Sequence, residues 1–232
     1  MILSWSGGKD SALSLYYLSK QGNSPSLLFT TVNKATNRIS MHGVREELLD
    51  LQAKSVGIRV KKLYLPEMPD MATYENQILS ELNQFKIEGG LHEIAFGDIF
   101  LEDLKSFRES LMEKGGYKVS FPLWKIPSYK LVQEFIEAGF KAIIICVNNK
   151  FLDKSFLGRT IDSQFLKDLP READPAGENG EYHSFVYDGP GFNEPIKFMK
   201  RETVFKSYAV DNKENVNYDT GFWYLDLLPV NT

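Results

Sequence analysis

An alternation runs through the first two-thirds of the chain: short apolar runs are separated by longer stretches whose apolar residues recur at helical spacing. Ile2–Trp5 reads as a short strand, and Ser11–Gln21 as a helix with Ala12, Leu15, Tyr16 and Leu18 on one side. Ser26–Asn33 is a second strand, Val44–Gly57 a helix ended by its glycine, and Arg59–Pro66 a strand stopped by proline. Met71–Ile87 is helical, His92–Asp98 is a strand, and Leu101–Lys114 is a helix closed by Gly115 and Gly116. Tyr129–Ala138 is a helix closed by Gly139, and Lys141–Asn148, "KAIIICVN", is the strongest buried-strand signal. Such continuous apolar runs suit a parallel sheet covered on both faces, and repeated strand–helix–strand units require right-handed crossovers. The expected fold class is α/β, a doubly wound, mostly parallel sheet, with Lys141–Asn148 completing it.

The character changes near Lys150. Ser163–Leu169 finishes a helix, and "PREADPAGENGEYHSFVYDGPGF" is then a long irregular stretch. Ile196–Val210 and Gly221–Val230 are strand-like, separated by the turn-rich "DNKENVNYDT", and read as an antiparallel pair in a smaller α+β domain. The expected division is therefore 1–150 and 151–232. A structureless loop that long is usually functional or disordered, and the aromatic residues in this one favour function.

With 232 residues, 43% hydrophobic and 25% charged, the chain has the balance of a soluble globular protein. A net charge of −4 argues against a surface that coats nucleic acid. Cys146 stands alone within a buried strand, where it is a small inert hydrophobe in a reducing compartment. No signal-peptide pattern precedes the first strand, and no apolar run approaches the ~20 residues of a membrane span. A cytoplasmic location and no membrane partner are expected; the oligomeric state is open.

The break between the first strand and the first helix is Ser6-Gly7-Gly8-Lys9-Asp10-Ser11. It is not a Walker loop. The glycine expected five residues before Gly8 is Leu3, and the residue after Lys9 is Asp10 where a hydroxyl would be needed. The dinucleotide fingerprint Gly-x-Gly-x-x-Gly is also absent. The segment still suits an anion. Two glycines let it approach the backbone, the next helix directs its N–H groups at it, Ser6 and Ser11 offer hydroxyls and Lys9 a charge. Asp10 fits as a helix cap or as a ligand of phosphate-bound Mg²⁺.

"SGGKDS" after a first strand resembles the PP-loop of the N-type ATP pyrophosphatases. With Val32-Asn33, "HGV" (His42–Val44), "GDI" (Gly97–Ile99), "PLW" (Pro122–Trp124) and above all "DPAGENGEYHSFVYDGP" (Asp174–Pro190), the chain resembles the diphthine–ammonia ligase family from Leu3 to about Phe192. The resemblance implies an adenine nucleotide alpha-hydrolase-like, Rossmann-like fold, with residues 1–150 as the ATP-binding domain and 151–232 as a substrate-binding domain. It further implies an enzyme that adenylates a carboxylate with ATP, releases AMP and pyrophosphate, and amidates the acid with ammonia. The acceptor is diphthine on elongation factor 2 in eukaryotes and archaea, and another carboxylate in bacterial relatives. The family often carries cysteine where this chain has Ala176, so no thiol acts there.

The residues expected to carry this chemistry are Lys9 and Asp10 as catalytic groups. Ser6, Gly7, Gly8, Lys9, Asp10, Ser11, Asn33, His42 and Asp98 are expected on ATP, with Asp10 on Mg²⁺. Asn33 would meet adenine or ribose, and His42 a phosphate. Glu178, Asn179, Glu181 and His183 are expected on the acceptor, whose quaternary ammonium, if it is diphthine, suits carboxylates beside an aromatic face such as Tyr182. Each has a plainer reading: Asp98 as the cap of the following helix, Arg108 as a surface ion pair, Trp124 as a core anchor, and the acidic loop as a solvated turn. Two other functions stay open. One is a pyrophosphatase of this type acting on another acceptor such as a tRNA base; the other is a sensor that binds ATP without turnover.

Overall fold

The computed structural model describes residues 1–40, 42–209 and 219–230. In chain order the elements are β1 (Ile2–Ser4), α1 (Lys9–Lys20), β2 (Leu27–Asn33), β3 (Arg38–Ile39), α2 (Glu46–Val56), β4 (Val60–Leu65), α3 (Met71–Gly89), β5 (Glu93–Ala95), α4 (Glu102–Lys114) and β6 (Lys118–Ser120). There follow α5 (Ser128–Glu137), β7 (Lys141–Asn148), a 3₁₀ turn (Lys154–Phe156), α6 (Ser163–Asp168), β8 (Tyr182–Asp188), β9 (Phe198–Ala209) and β10 (Asp219–Pro229).

The first sheet has its parallel strands in the order β4–β2–β1–β5–β6, and β3 pairs antiparallel with the end of β2. The chain moves outward from β1 through β2 to β4 and then returns to β5 on the other side. The order therefore reverses between β1 and β5, the position at which open α/β sheets bind ligands. Both strands end there in the residues singled out above, Ser6–Ser11 and Gly97–Asp98. The expected α/β class with a mostly parallel first sheet is what the chain adopts.

Two expectations are corrected. Lys141–Asn148 does not complete the parallel sheet. It is β7 of a second, antiparallel sheet, ordered β8–β7–β10–β9. Its apolar run reports burial on both faces, which either sheet type can provide, and says nothing about strand direction. The stretch expected to be irregular also contains a strand: Tyr182–Asp188 is β8, with Tyr182, Ser184, Phe185 and Val186 buried. Flanking glycines and prolines mask this run in the sequence. β9 and β10 form the expected antiparallel pair, from Pro229 opposite Phe198 to Asp219 opposite Ala209. Residues 210–218 of the turn-rich connection lie outside the described residues, as does Met41.

One apolar core runs from Leu3, Leu28 and Val32 through Leu13 and Leu48 to Ile144, Phe165 and Phe185, so it joins the two sheets. A smaller one, with Ile2, Phe29, Leu82, Ile94 and Leu111, fills the space between the first sheet and α3 and α4. Among the described residues no helix is long and apolar enough to cross a membrane.

Candidate functional site

The chain turns sharply after β1. Gly7 has φ +79°, and a Cβ there would lie 2.6 Å from Gln52 Oε1, so position 7 demands glycine for both conformation and space. Gln52, on α2, has no exposed surface. Its oxygen accepts from the Trp5 indole N–H at 3.0 Å, and its amide donates to Gly7 O at 2.9 Å and to Val186 O. Val186 N in turn donates to Gly7 O at 2.9 Å, so β8 of the second sheet is stitched to the loop.

Gly8 is the N-cap of α1 and makes no side-chain cap bond; Ala12 N closes the first turn onto Gly8 O at 3.1 Å. The first helical N–H, that of Lys9, donates to Ser184 Oγ of β8 at 3.2 Å, and the helix start carries the positive end of the helix dipole. Ser11 Oγ donates to Gly8 O at 2.9 Å, and Ser6 Oγ accepts from Gly8 N at 3.3 Å. A Cβ on Gly8 would stand 3.2 Å from Ser184 O and 3.4 Å from His42 Cε1, so only glycine fits without pushing either neighbour.

Lys9 is 5% exposed. Its ammonium reaches both Asp10 oxygens, at 2.7 and 2.8 Å, and lies 5.4 Å from the centre of the Tyr182 ring. Burial pushes the Asp10 carboxyl above its ordinary value despite Lys9, and Asp174 and Asp98 push the same way. Glu178 accepts from Ile99 N at 2.8 Å, which ties the 174–181 loop to the segment after β5. Burial, with Asp10 and Asp98 adding to it, raises the Glu178 carboxyl to about 7. Carboxylates from three segments thus converge around Lys9. Among the described residues no three His, Cys, Asp or Glu side chains stand close enough to hold a metal by themselves.

That raised value has a sign. Between about 4.5 and 7 the folded protein holds a proton on Glu178 that the unfolded chain has released, so stability falls as pH climbs through this window. Glu178→Gln keeps the acceptor for Ile99 N and removes the titration. It is expected to match wild type in stability near pH 4.5 and to exceed it by roughly 1–3 kcal/mol at pH 8, after allowance for partial solvent access. Urea unfolding at the two pH values measures this; parallel stability curves would contradict it.

Glu181 differs from Glu178. It is 1% exposed, and its oxygens accept from Asp174 N, Asn179 N and Asn179 Nδ2 at 2.9–3.2 Å, so it braces the loop from within. The Tyr182 hydroxyl donates to Pro175 O, and its ring lies 2.9 Å from where a Cβ on Gly177 would be, which explains a glycine there at φ +70°. His183, on β8, packs its ring 4.4 Å from that of His42. Burial and the nearby Lys9 charge depress both imidazoles, His183 to about 4, so both are neutral at pH 7. The turn carrying His42 is held by Arg38, which donates to Gly43 O at 2.7 Å. Arg38 and Arg45 also grip Asp226 of β10 at 2.7–2.9 Å, clamping this turn to the second sheet.

A cavity of about 930 Å³ opens beside the loop at the C-terminal ends of β1, β2 and β5. Of the residues expected on ATP, Ser6, Asn33 and His42 line it. Gly7, Gly8, Lys9, Asp10 and Ser11 continue from Ser6 toward the acidic cluster, where Asp98, Glu178, Asn179, Glu181 and His183 also lie. The Asn33 amide oxygen is engaged by Ala35 N and Thr36 N in a turn. Asp98 does not cap α4, whose N-cap is Leu101; its carboxylate faces Arg108 Nε at 2.7 Å. Trp124 is half-buried, and the anchor of its segment is Leu123. Gln52, Ser184, Asp174 and Asp226 were not anticipated. Ser184 and Asp174 sit within or beside the quoted motif, whereas a glutamine on a helix and an aspartate on a strand carry no sequence signal of a long-range bond.

Residues 1–119 match the model of the diphthamide synthase N-terminal domain, and residues 127–215 that of the diphthamide synthase C-terminal domain. The interval between the two matches precedes α5 and β7, whereas the division expected at residue 150 would separate β7 from its partners β8 and β10. A diphthine–ammonia ligase of Schizosaccharomyces pombe is 28% identical over 118 residues, which is 49% of this chain and 20% of that protein. The chain thus aligns with about a fifth of this relative's length. On the two domain matches, and with the strand order and loop that accompany them, this chain belongs to the diphthamide synthase family.

Proposed function

We propose that this chain is an ATP-dependent ligase that adenylates a carboxylate and converts it to an amide with ammonia. The observation that carries the reading is the start of α1 at Gly8, with the glycine pair and buried Lys9, placed at the strand-order reversal beside a cavity that Ser6 and His42 line. Ser6, Gly7, Gly8, Ser11 and the α1 N–H groups hold the β and γ phosphates, and Lys9 offsets the charge that builds on the leaving pyrophosphate. Asn33 and His42 border the nucleoside and α-phosphate. An acceptor oxygen attacks the α-phosphorus, the bond to the β-phosphate breaks, and pyrophosphate leaves. Ammonia then attacks the acyl carbon, AMP departs and a proton is released.

Mg²⁺ brought in on the phosphates needs only one or two protein carboxylates, and Asp10, a third exposed and facing the loop, can supply one. It would add charge stabilisation on the phosphates. Asp98 and Glu178 stand where acceptor or amine can be oriented, Asn179 and Glu181 shape their loop, and His183 keeps His42 in place. In this reading the enzyme works in the cytoplasm, its acceptor is diphthine or another carboxylate, and residues 1–119 are the nucleotide-binding unit. The products decide it. Incubation with ATP, Mg²⁺, ammonium and acceptor should yield AMP and pyrophosphate in equal amounts, whereas ADP and orthophosphate would rule the chemistry out.

A further inference from the structure

We propose that Asp226 of β10 is a positioning residue for the nucleotide: through Arg38 and Arg45 it sets the turn that carries His42 and the start of the helix that carries Gln52. The inference rests on the ligase reading, since it concerns how the phosphate loop of that reading is held. It gives the second sheet a part in a site otherwise built from the first.

Arg38 and Arg45 stand directly opposite each other in an antiparallel bridge, where like charges repel, so the pair needs an anion between them. Asp226, 9% exposed, is that anion. Arg45 donates to both of its oxygens, from Nε at 2.9 Å and from Nη2 at 2.8 Å, and Arg38 Nη2 adds a third bond at 2.7 Å. Burial pushes the Asp226 carboxyl up, but the two guanidinium groups outweigh it and hold the group below its ordinary value, so it is charged at neutral pH. The strand is irregular at this point. Leu225 pairs with Thr203 and Leu227 with Lys200, so two residues of β9, Arg201 and Glu202, face the single residue Asp226. Bulges of this kind re-aim a side chain and are over-represented beside active sites. Two residues earlier, on the same face of β10, the Tyr224 ring lies 3.1 Å from where a Cβ on Gly43 would stand, against the same turn.

Each arginine passes this hold to one side of the loop. Arg38 donates from Nη1 to Gly43 O at 2.7 Å, next to His42. His42 Nδ1 is buried with no hydrogen-bond partner among the described residues, so that nitrogen does not fix the ring; the turn and the stack on His183 do. The ring stands close to Gly8, with Cε1 3.4 Å from where a Cβ there would be. Arg45 is the N-cap residue of α2, and Gln52, two helical turns on, donates to Gly7 O at 2.9 Å. One carboxylate therefore fixes both elements that meet Gly7 and Gly8. Asp226 also lines the cavity, where its own negative charge opposes a triphosphate. A net benefit to nucleotide binding can come only from what it holds.

That opposition of signs makes Asp226→Asn the discriminating change. Coulomb's law alone has the loss of a negative charge from the cavity wall strengthen binding of an anion, whereas positioning has it weaken. The full chain is titrated with α,β-methylene ATP and Mg²⁺ by calorimetry, below the melting range recorded for each variant. Asp226→Asn is expected to weaken binding about tenfold, and Asp226→Glu, which keeps a carboxylate between the arginines, to fold and recover part of the loss. In a His42→Ala background the asparagine change is expected to cost no more than about threefold, the part that runs through Gln52; a merely structural loss would be equal in both backgrounds. Affinity of Asp226→Asn at or above wild type, or an equal loss in the two backgrounds, overturns the proposal. If the asparagine variant does not fold, Asp226→Glu takes its place in the cycle, and unchanged affinity there overturns the proposal. Failure of the wild-type chain to bind the nucleotide defeats the ligase reading itself, and that titration precedes any variant.

Discussion

Gln52→Leu is expected to lower the stability of the folded protein by about 3–5 kcal/mol and its thermal midpoint by roughly 10 °C. The glutamine is fully buried, and its loss strands the Trp5 indole N–H and removes the donor shared by the Gly7 and Val186 carbonyls. Leucine has similar bulk, so the cost arises from unsatisfied polar groups in the core and not from a cavity. The same change removes one of the two donors to the Gly7 carbonyl, leaving only Val186 N to hold the turn, so nucleotide affinity should weaken more than tenfold even well below the melting range. Calorimetry and nucleotide titration check both parts. A midpoint within 2 °C of wild type with unchanged affinity would show that Gln52 does not hold the loop.

Asp10→Ala is expected to reduce pyrophosphate release at least 100-fold while the circular dichroism spectrum is unchanged. Asp10 occupies the first turn of α1 and faces the carboxylates that converge from the 97–100 and 174–181 segments. Its stability cost is smaller, about 1–3 kcal/mol, because Lys9 loses a two-oxygen partner but keeps the Tyr182 ring. Asp10→Asn retains an acceptor for Lys9 and should fold as wild type yet remain as inactive as the alanine variant. Activity within tenfold of wild type in both would remove Asp10 from the chemistry.

These two residues differ in how visible they are from sequence. Asp10 lies inside a hexapeptide whose glycine spacing, charge and position between a strand and a helix define an anion site locally. Gln52 bonds to groups at positions 5, 7 and 186, and nothing in its own helix marks it. The acidic motif shows the same division. Its presence was legible, yet the sequence treats Glu178 and Glu181 alike. The fold sends the first to the backbone at Ile99 and turns the second inward to brace its own loop. Arg108 reads as an ordinary helical ion pair, and only the packing of α4 beside Phe96 puts its charge in the cavity wall.

Local rules sufficed for most element positions, because helix spacing, terminal glycines and strand composition act over a few residues. They also sufficed for the anion loop, whose chemistry is contained in consecutive residues. Sheet membership did not follow from them. Burial of β7 on both faces is common to parallel and antiparallel settings, and its pairing with β8 and β10 is decided by segments tens of residues away. The convergence of Asp10, Asp98, Asp174 and Glu178 around Lys9, and the cavity beside them, likewise exist only once the strand order reverses between β1 and β5. Spacing along a chain records which neighbours share a turn of helix. Which distant groups face one another depends on how the sheets stack.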